Sequence, residues 1–348
     1  MVTPWPFIAV FGSALVLALA VTPLAAALGR RWGLVDRPGG RRRHQGIVAR
    51  TGGIALFVSF VGAMLFSQFL PVPRQDPNEL TRFLGITLGT ALLFFAGMMD
   101  DWKELKPGPQ YLAQAAAAGI AIACLVFIEQ VMNPFNDKLI GPFPLVLTIV
   151  ITLFWIMGMI NTVNFLDGVD GLAAGVGAIV SAFLAIHMLR EGQYSVALLP
   201  LALLGATLGF LPYNFFPARI FLGSGAWLLG FAIATLGIAA GAKLALVLLV
   251  LSIPIVDVAW LIISRLRAGQ SPGLADRRHL HFRLLDLGLT PRQVVGIYYG
   301  YCILLGTAAL LVNSRLLKLI TLVVLGMGTL VLLAFLARSS LHREHEQS

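Results

Sequence analysis

The segment NTVNFLDGVDGL, residues 161–172, sets two carboxamides and two carboxylates at three-residue intervals between apolar runs long enough to cross a membrane. Ionisable groups at a membrane are costly, which marks them as functional. On a helix, Asn161, Asn164, Asp167 and Asp170 share one slowly drifting face, and Gly168 and Gly171 let a substrate or metal approach the backbone. The expectation is one wall of a polar active site; the competing explanation is that Asp in a DGVDG context simply makes turns. Asp100 and Asp101 form a second acidic centre where the apolar run ending at Met99 stops. Adjacent carboxylates repel and have reason to sit near a cation. Successive helix positions diverge by about 100 degrees, so the two take different tasks. A solvated helix end paired with Lys103 or Lys106 is the alternative.

Basic and imidazole groups gather in two other segments. In GLVDRPGGRRRHQGIVARTGG, residues 33–53, Gly39 and Gly40 precede Arg41, Arg42, Arg43 and His44, and Arg50 follows. A flexible basic loop of this kind suits the phosphate oxygens of a nucleotide or a lipid headgroup, although Arg30, Arg31 and Arg37 are equally well explained as topology signals. His279 and His281 stand two apart, which gives one face on an extended segment and opposite sides on a helix. With no Cys or further His to complete a zinc set, phosphate binding together with Arg277, Arg278 and Arg283 is the favoured role. His187, inside an apolar run, reads as structural, and His342 and His345 as a solvated tail. Cys124 and Cys302 also lie in apolar runs, as small buried side chains rather than a disulfide or metal ligands.

Apolar helices must position these groups. Hydrophobic residues make up 58% of the 348, charged residues only 12%, and mean hydropathy is +0.87. The chain is therefore expected to be an all-α polytopic membrane protein, one membrane domain over 1–348. About eleven transmembrane helices are expected, near 7–28, 52–70, 83–99, 111–130, 145–161, 172–189, 195–211, 226–241, 243–264, 293–312 and 317–337. The net charge of +9 would suggest nucleic acid in a soluble protein; here its distribution matters instead. Eighteen of the 25 Lys and Arg fall on one side of that arrangement, which makes that side cytoplasmic, the N-terminus outside and the C-terminus inside. Every chemically rich segment then falls on the cytoplasmic side: 33–53, 100–110, 161–172, 212–225 and 265–289. A secondary transporter would concentrate its polar groups near the midplane, on broken helices; here they cluster at one membrane edge, and carboxylates plus phosphate-binding loops point to phosphoryl transfer between a cytosolic nucleotide and a membrane lipid.

In this order the motifs resemble those of the polyprenyl-phosphate N-acetylhexosamine-1-phosphate transferases and, more distantly, the phospho-N-acetylmuramoyl-pentapeptide transferases. GLVDRPGGRRRHQGIVARTGG is similar to the family's first-loop motif, DDWKELKP to its aspartate pair, NTVNFLDGVDGL to its asparagine-aspartate motif, and PIVDVAWLIISRLRAGQSPGLADRRHLHFRLLDLGL to its last cytoplasmic loop. The resemblance covers nearly the whole chain. It implies a multi-pass enzyme of the bacterial cytoplasmic membrane. A polyprenyl phosphate attacks the sugar-linked phosphorus of a UDP-N-acetylhexosamine, with GlcNAc as the expected sugar, releasing UMP and starting a lipid-linked cell-envelope glycan. Mg²⁺ or Mn²⁺ is the implied cofactor. Asp100 and Asp101 would activate the lipid phosphate and hold the metal, with Asp170 completing the metal set. Asn164, Asp167 and Asp170 would line the nucleotide-sugar pocket, Phe221 would stack on the base with Asn214 supporting its loop, and His44, Arg50, His279, His281 and Arg283 would bind phosphate or sugar. Dimerisation is left open.

The chain departs from the family pattern at a metal-binding position. Where relatives carry a G-D-x-G-S type segment, it reads Phe221, Leu222, Gly223, Ser224, Gly225, as if an aspartate between Gly223 and Ser224 had been deleted. Phe282, Gln110 and Ala49 stand where many relatives have histidine, lysine and proline. A catalytically impaired relative that binds nucleotide or lipid is the alternative these departures imply.

Overall fold

The computed structural model of the chain describes residues 3–37, 46–241, 244–269 and 278–346, the last stretch with side chains to 335. The described residues form thirteen helices and two short antiparallel ribbons. Helix α1 (Trp5–Trp32) leads through ribbon β1 (Val35–Asp36) and β2 (Val48–Ala49) to α2 (Gly52–Ser67), then α3 (Glu79–Lys103) and α4 (Pro107–Ala123). After ribbon β3 (Val131–Met132) and β4 (Leu139–Ile140) come α5 (Leu145–Leu166), α6 (Leu172–Arg190), α7 (Tyr194–Asn214) and α8 (Gly225–Ala239). The chain ends with α9 (Leu244–Val250), α10 (Ser252–Arg267), α11 (Leu280–Asp286), α12 (Pro291–Leu311) and α13 (Arg315–Glu346).

Each of the eleven expected apolar segments overlaps a helix, so the all-α membrane class holds. Their lengths differ from expectation. Among the described residues seven helices are long and apolar enough to cross a membrane: α1, α3, α5, α6, α7, α12 and α13. α9 and α10 make an eighth only as a pair bent by 78°. Pro254 explains the break, since it offers no N–H to the carbonyl of Val250 one turn earlier. α2, α4 and α8, at 16, 17 and 15 residues, fall short of the roughly 20 a free-standing span requires. The segment expected at 111–130 leaves the helix after Ala123.

Burial explains the short helices. Every residue of α8 from Gly225 to Ile238 is buried, so its ends can stop inside protein rather than in lipid. α5 packs along it, with the Trp155 indole donating to the carbonyl of Ala234 at 3.0 Å. α1 and α7 meet along small residues, Ala14 and Ala18 against Gly205 and Gly209, which lets their backbones approach closely. α13 stays peripheral, its apolar side chains largely exposed as a lipid-facing helix requires.

One end of this bundle is tied together by backbone hydrogen bonds across long sequence distances. The N–H groups of Gly52 and Gly53, at the start of α2, donate to the carbonyls of Phe221 and Leu222, both at 3.0 Å. Phe221 in turn donates to Ala49 at 2.8 Å. Ribbon β1/β2 pairs Val35 with Ala49 and Asp36 with Val48, holding Asp36 and Arg50 beside the segment that leads into α8.

Candidate active site

At this end a cavity of about 610 Å³ opens between the C-terminal ends of α3, α5 and α7, the N-terminal end of α8, ribbon β1/β2 and the α11–α12 connection. Eight of the expected site residues line it: Arg50, Asp100, Asp101, Asn164, Asp167, Asp170, Asn214 and Phe221, Arg50 being the one basic side chain among the described lining residues. Its other flank is apolar, formed by Phe216, Phe282, Leu285, Leu289 and Pro291.

The two aspartates at the end of α3 have different partners. Asp100, on the more open side, accepts the Leu105 N–H at 3.0 Å and the Gln110 carboxamide at 2.9 Å, closing the turn after the helix. Asp101 is 7% exposed and reaches the start of α8, where it accepts the Ser224 hydroxyl at 2.6 Å and the Ser224 N–H at 3.1 Å. Arg50 approaches its other side at 3.5 Å. A carboxylate at a helix N-terminus is favoured by the unsatisfied N–H groups there. Gly223, at φ 60°, makes the turn that brings these groups together; a Cβ there would lie 2.4 Å from the carbonyl oxygen of Arg50. Thus where relatives are expected to carry an extra aspartate, this chain has a serine hydroxyl donating to Asp101.

The 161–172 wall is built differently from the expected helical face. α5 ends at Leu166, with Asp167 as its C-cap, and Gly171, at φ 81°, precedes α6. Asp167 and Asp170 therefore lie on a turn, and that turn lines the cavity. Asn161 is turned away from the cavity and donates to Gln114 at 2.7 Å. Asp170 accepts the Ala218 N–H at 2.9 Å. Asn214 ties two loops, accepting from Gly171 N–H at 3.1 Å and donating to the Ile220 carbonyl at 3.0 Å. Burial pushes the Asp167 carboxyl well above the usual carboxylate range, the neighbouring Asp170 and Asp101 push it further, and Arg50 opposes them.

The histidine segment departs most from expectation. His44 and Arg277 lie outside the described residues. His279 and His281 are buried behind the turn rather than lining the cavity. His279 Nδ1 meets Asp257 at 2.8 Å, and the two imidazoles stack with centroids 5.4 Å apart and planes within 7°. Burial, with His279 beside it, takes the His281 pKa down to about 3, so that ring is neutral. Arg283 points away as well, donating to the carbonyls of Arg278 and Leu333 at 2.8 and 3.2 Å. Phe282 takes the cavity-facing position instead.

Asp36, Asp257 and the bonding role of Gln110 were not expected from the sequence. Asp36 lines the cavity, 8% exposed, within a loop whose basic run drew the attention. Gln110 lines it and holds Asp100. Asp257 is an isolated carboxylate in the apolar run PIVDVAW, a signal of the kind that singled out Asp167.

For a divalent cation the donors fit one coordination style better than another. Among the described residues no three His, Cys, Asp or Glu side chains converge to cage a metal. Five aspartates line the cavity, Arg50 is the one basic side chain among its described lining residues, and burial together with Asp170 and Asp101 raises Asp167. That suits Mg²⁺ or Mn²⁺ bound through one or two carboxylates and completed by oxygens of a bound phosphate compound.

Residues 83–241 match the family described as glycosyl transferase family 4. Over 311 residues, 86% of this chain and 83% of the relative, the sequence is 30% identical to a Bacillus subtilis protein named probable undecaprenyl-phosphate N-acetylglucosaminyl 1-phosphate transferase. It is also 30% identical over 315 residues, 82% of this chain and 78% of the relative, to decaprenyl-phosphate N-acetylglucosaminephosphotransferase of Mycobacterium tuberculosis. A third relative, undecaprenyl-phosphate alpha-N-acetylglucosaminyl 1-phosphate transferase of Salmonella typhi, is 29% identical over 284 residues, 78% of this chain and 74% of its own.

Proposed function

Because the chain belongs to the polyprenyl-phosphate N-acetylhexosamine-1-phosphate transferase family, we propose that it transfers GlcNAc-1-phosphate from UDP-GlcNAc to a polyprenyl phosphate at the cytoplasmic face of the inner membrane. The observation that carries this reading is a cavity at one end of an apolar bundle with a carboxylate-rich flank and an apolar flank. The polar flank suits a nucleotide sugar and the apolar flank the first isoprenes of a lipid. The surplus of Lys and Arg in the loops at that end favours its facing the cytoplasm.

An oxygen of the lipid phosphate forms a bond to the sugar-linked phosphorus, the bond from that phosphorus to the bridging oxygen breaks, and UMP leaves. A phosphate monoester with a second pKa near 6 is largely dianionic at neutral pH, so orientation and charge neutralisation matter more than a strong base. Asp100, on the open side, orients the lipid phosphate. Arg50 neutralises the diphosphate, and Asn164 and the Asp167–Asp170 turn bind the nucleotide sugar, with Phe221 against the uracil. Asp100, Asp101 and Asp170 are the proposed holders of Mg²⁺ or Mn²⁺, which supplies electrostatic stabilisation of the transferred group.

The test is production of a lipid-linked sugar and of UMP by the purified protein in liposomes, with UDP-N-acetylhexosamines and polyprenyl phosphate. Product that needs both substrates supports the reading; binding of both without product overturns it. A second reading, a relative that binds without turnover, draws on Ser224 holding Asp101 where an aspartate is expected. Inserting Asp after Gly223 separates the two, since activity appearing only on insertion identifies a disabled chain.

A further inference from the structure

Asp257 sits in α10 at 3% exposure, outside the cavity lining. A carboxylate out of water is costly unless its oxygens are satisfied, and both oxygens of Asp257 are spent on one short element. Oδ2 meets Nδ1 of His279 at 2.8 Å, and Oδ1 accepts the backbone N–H of Leu280 at 3.0 Å. These residues begin α11, seven residues long and without a side-chain cap of its own. Helices this short do not persist unaided. Asp257 thus clamps the start of α11 from a neighbouring helix.

What α11 carries explains the clamp. His281, 1% exposed, is stacked on His279, and its Nε2 has no hydrogen-bond partner. That nitrogen abuts Gly168, where a Cβ would lie 2.4 Å from Nε2 and 2.8 Å from the Phe282 ring. Gly168 is the residue after Asp167 on the cavity turn. A continuous line of contact therefore runs from Asp257 through His279 and His281 to the Asp167–Asp170 turn, and the same helix presents Phe282 and Leu285 to the cavity.

We propose that Asp257 is a positioning residue for the transfer reaction: by clamping α11 and holding the His279 Nδ1 hydrogen, it sets the stacked imidazoles under the Asp167–Asp170 turn and the Phe282 flank opposite. This rests on the transferase reading for its kinetic consequence but not for its geometry. Asp257→Asn keeps an acceptor for Leu280 and the side-chain shape, while its carboxamide N–H₂ competes to donate to His279 and reverses the ring tautomer. Asp257→Ala removes both bonds.

The experiment compares these variants of the full chain in liposomes by kinetics and by hydrogen exchange. Expected for Asp257→Ala is faster exchange at 167–172 and 278–289 with the rest of the bundle unchanged, and a fall in kcat/KM for the UDP-sugar of about 100-fold, the scale of an ångström-sized misplacement. Asp257→Asn is expected to keep most exchange protection yet lose kcat about tenfold at unchanged KM for polyprenyl phosphate, a split that a merely structural residue does not produce. Should Asp257→Ala fail to fold, Asp257→Asn alone decides. Wild-type kcat/KM in a folded variant overturns the proposal. If the unaltered chain gives no transfer, the transferase reading fails instead, and unchanged exchange at 167–172 in Asp257→Ala would still overturn the clamp.

Discussion

Helix α3 carries acidic groups at both ends, about 33 Å apart along its axis, and the two ends solve the problem of burying charge differently. At its N-terminal end a smaller cavity of about 280 Å³ is lined by Asp76, Glu79, Arg82, Gln193 and Ser195. There Asp76 pairs with Arg82, and Glu79 accepts the Ser195 hydroxyl at 2.8 Å. At the other end Asp36, Asp100, Asp101, Asp167 and Asp170 face one cavity, and Arg50 is the one basic side chain among its described lining residues. Two acids held by neighbours in a small cavity are architecture; five acids converging on a cavity roomy enough for a ligand mark a candidate site. The comparison turns a loose statement, that membrane carboxylates are functional, into a sharper one about convergence on a cavity.

The largest expected effect is removal of divalent cations. If the acids converging on the larger cavity are there to hold a cation, EDTA abolishes formation of the lipid-linked sugar and Mg²⁺ or Mn²⁺ restores it; full activity in EDTA breaks the contrast between the two ends. Next comes Asp101→Asn, which still accepts from Ser224 but loses its charge. A fall in kcat of about 10²–10³-fold is expected. Glu79→Gln, the same change at the other end, should leave the rate within about twofold. Equal losses from the two substitutions, measured as labelled lipid product, would erase the distinction.

How far these two ends were legible beforehand depends on sequence separation. Apolar runs give away helices because hydropathy is local, and the DDW and NxxNxxDxxD patterns mark the acidic end for the same reason. The three-residue spacing misled about the 161–172 wall: it suggests one helical face, yet Asp167 ends α5 and only Asp167, Asp170 and Asn164 reach the cavity, while Asn161 turns to Gln114. The pairings that most shape the site join residues far apart in sequence. Asp101 meets Ser224 across 123 positions and Asp257 meets His279 across 22. No local pattern distinguishes a histidine held by a carboxylate behind the wall from one facing phosphate.

Arg50 offers a smaller and more selective perturbation. It lies 3.5 Å from Asp101 and 3.8 Å from Glu104 and is the cation that lowers Asp167. Arg50→Ala therefore removes a cation from among the converging acids. The KM for the UDP-sugar should rise about tenfold, the worth of one charge-assisted hydrogen bond, with partial recovery in Arg50→Lys, which restores charge without the planar fork. An unchanged KM with a reduced kcat would move Arg50 from ground-state binding of the diphosphate to the transition state.

The smallest effect is predicted at the smaller cavity. Arg82 pairs with Asp76 and donates to the Leu125 carbonyl at 3.1 Å, and both members of the pair are about one-third exposed. Such a pair loses much of its Coulomb attraction to solvent and to the ordering of two side chains, so Arg82→Ala should cost about 0.2–1 kcal/mol of stability. That would appear as a small drop in the thermal midpoint in detergent, with turnover unchanged. The asymmetry with Arg50→Ala is the point: both remove one arginine from an acidic cavity on the same helix, yet only at the larger cavity should substrate binding respond. A loss of transfer on Arg82→Ala comparable to that of Arg50→Ala would mean that α3 couples the two ends, and that the smaller cavity contributes to the reaction rather than only to the scaffold.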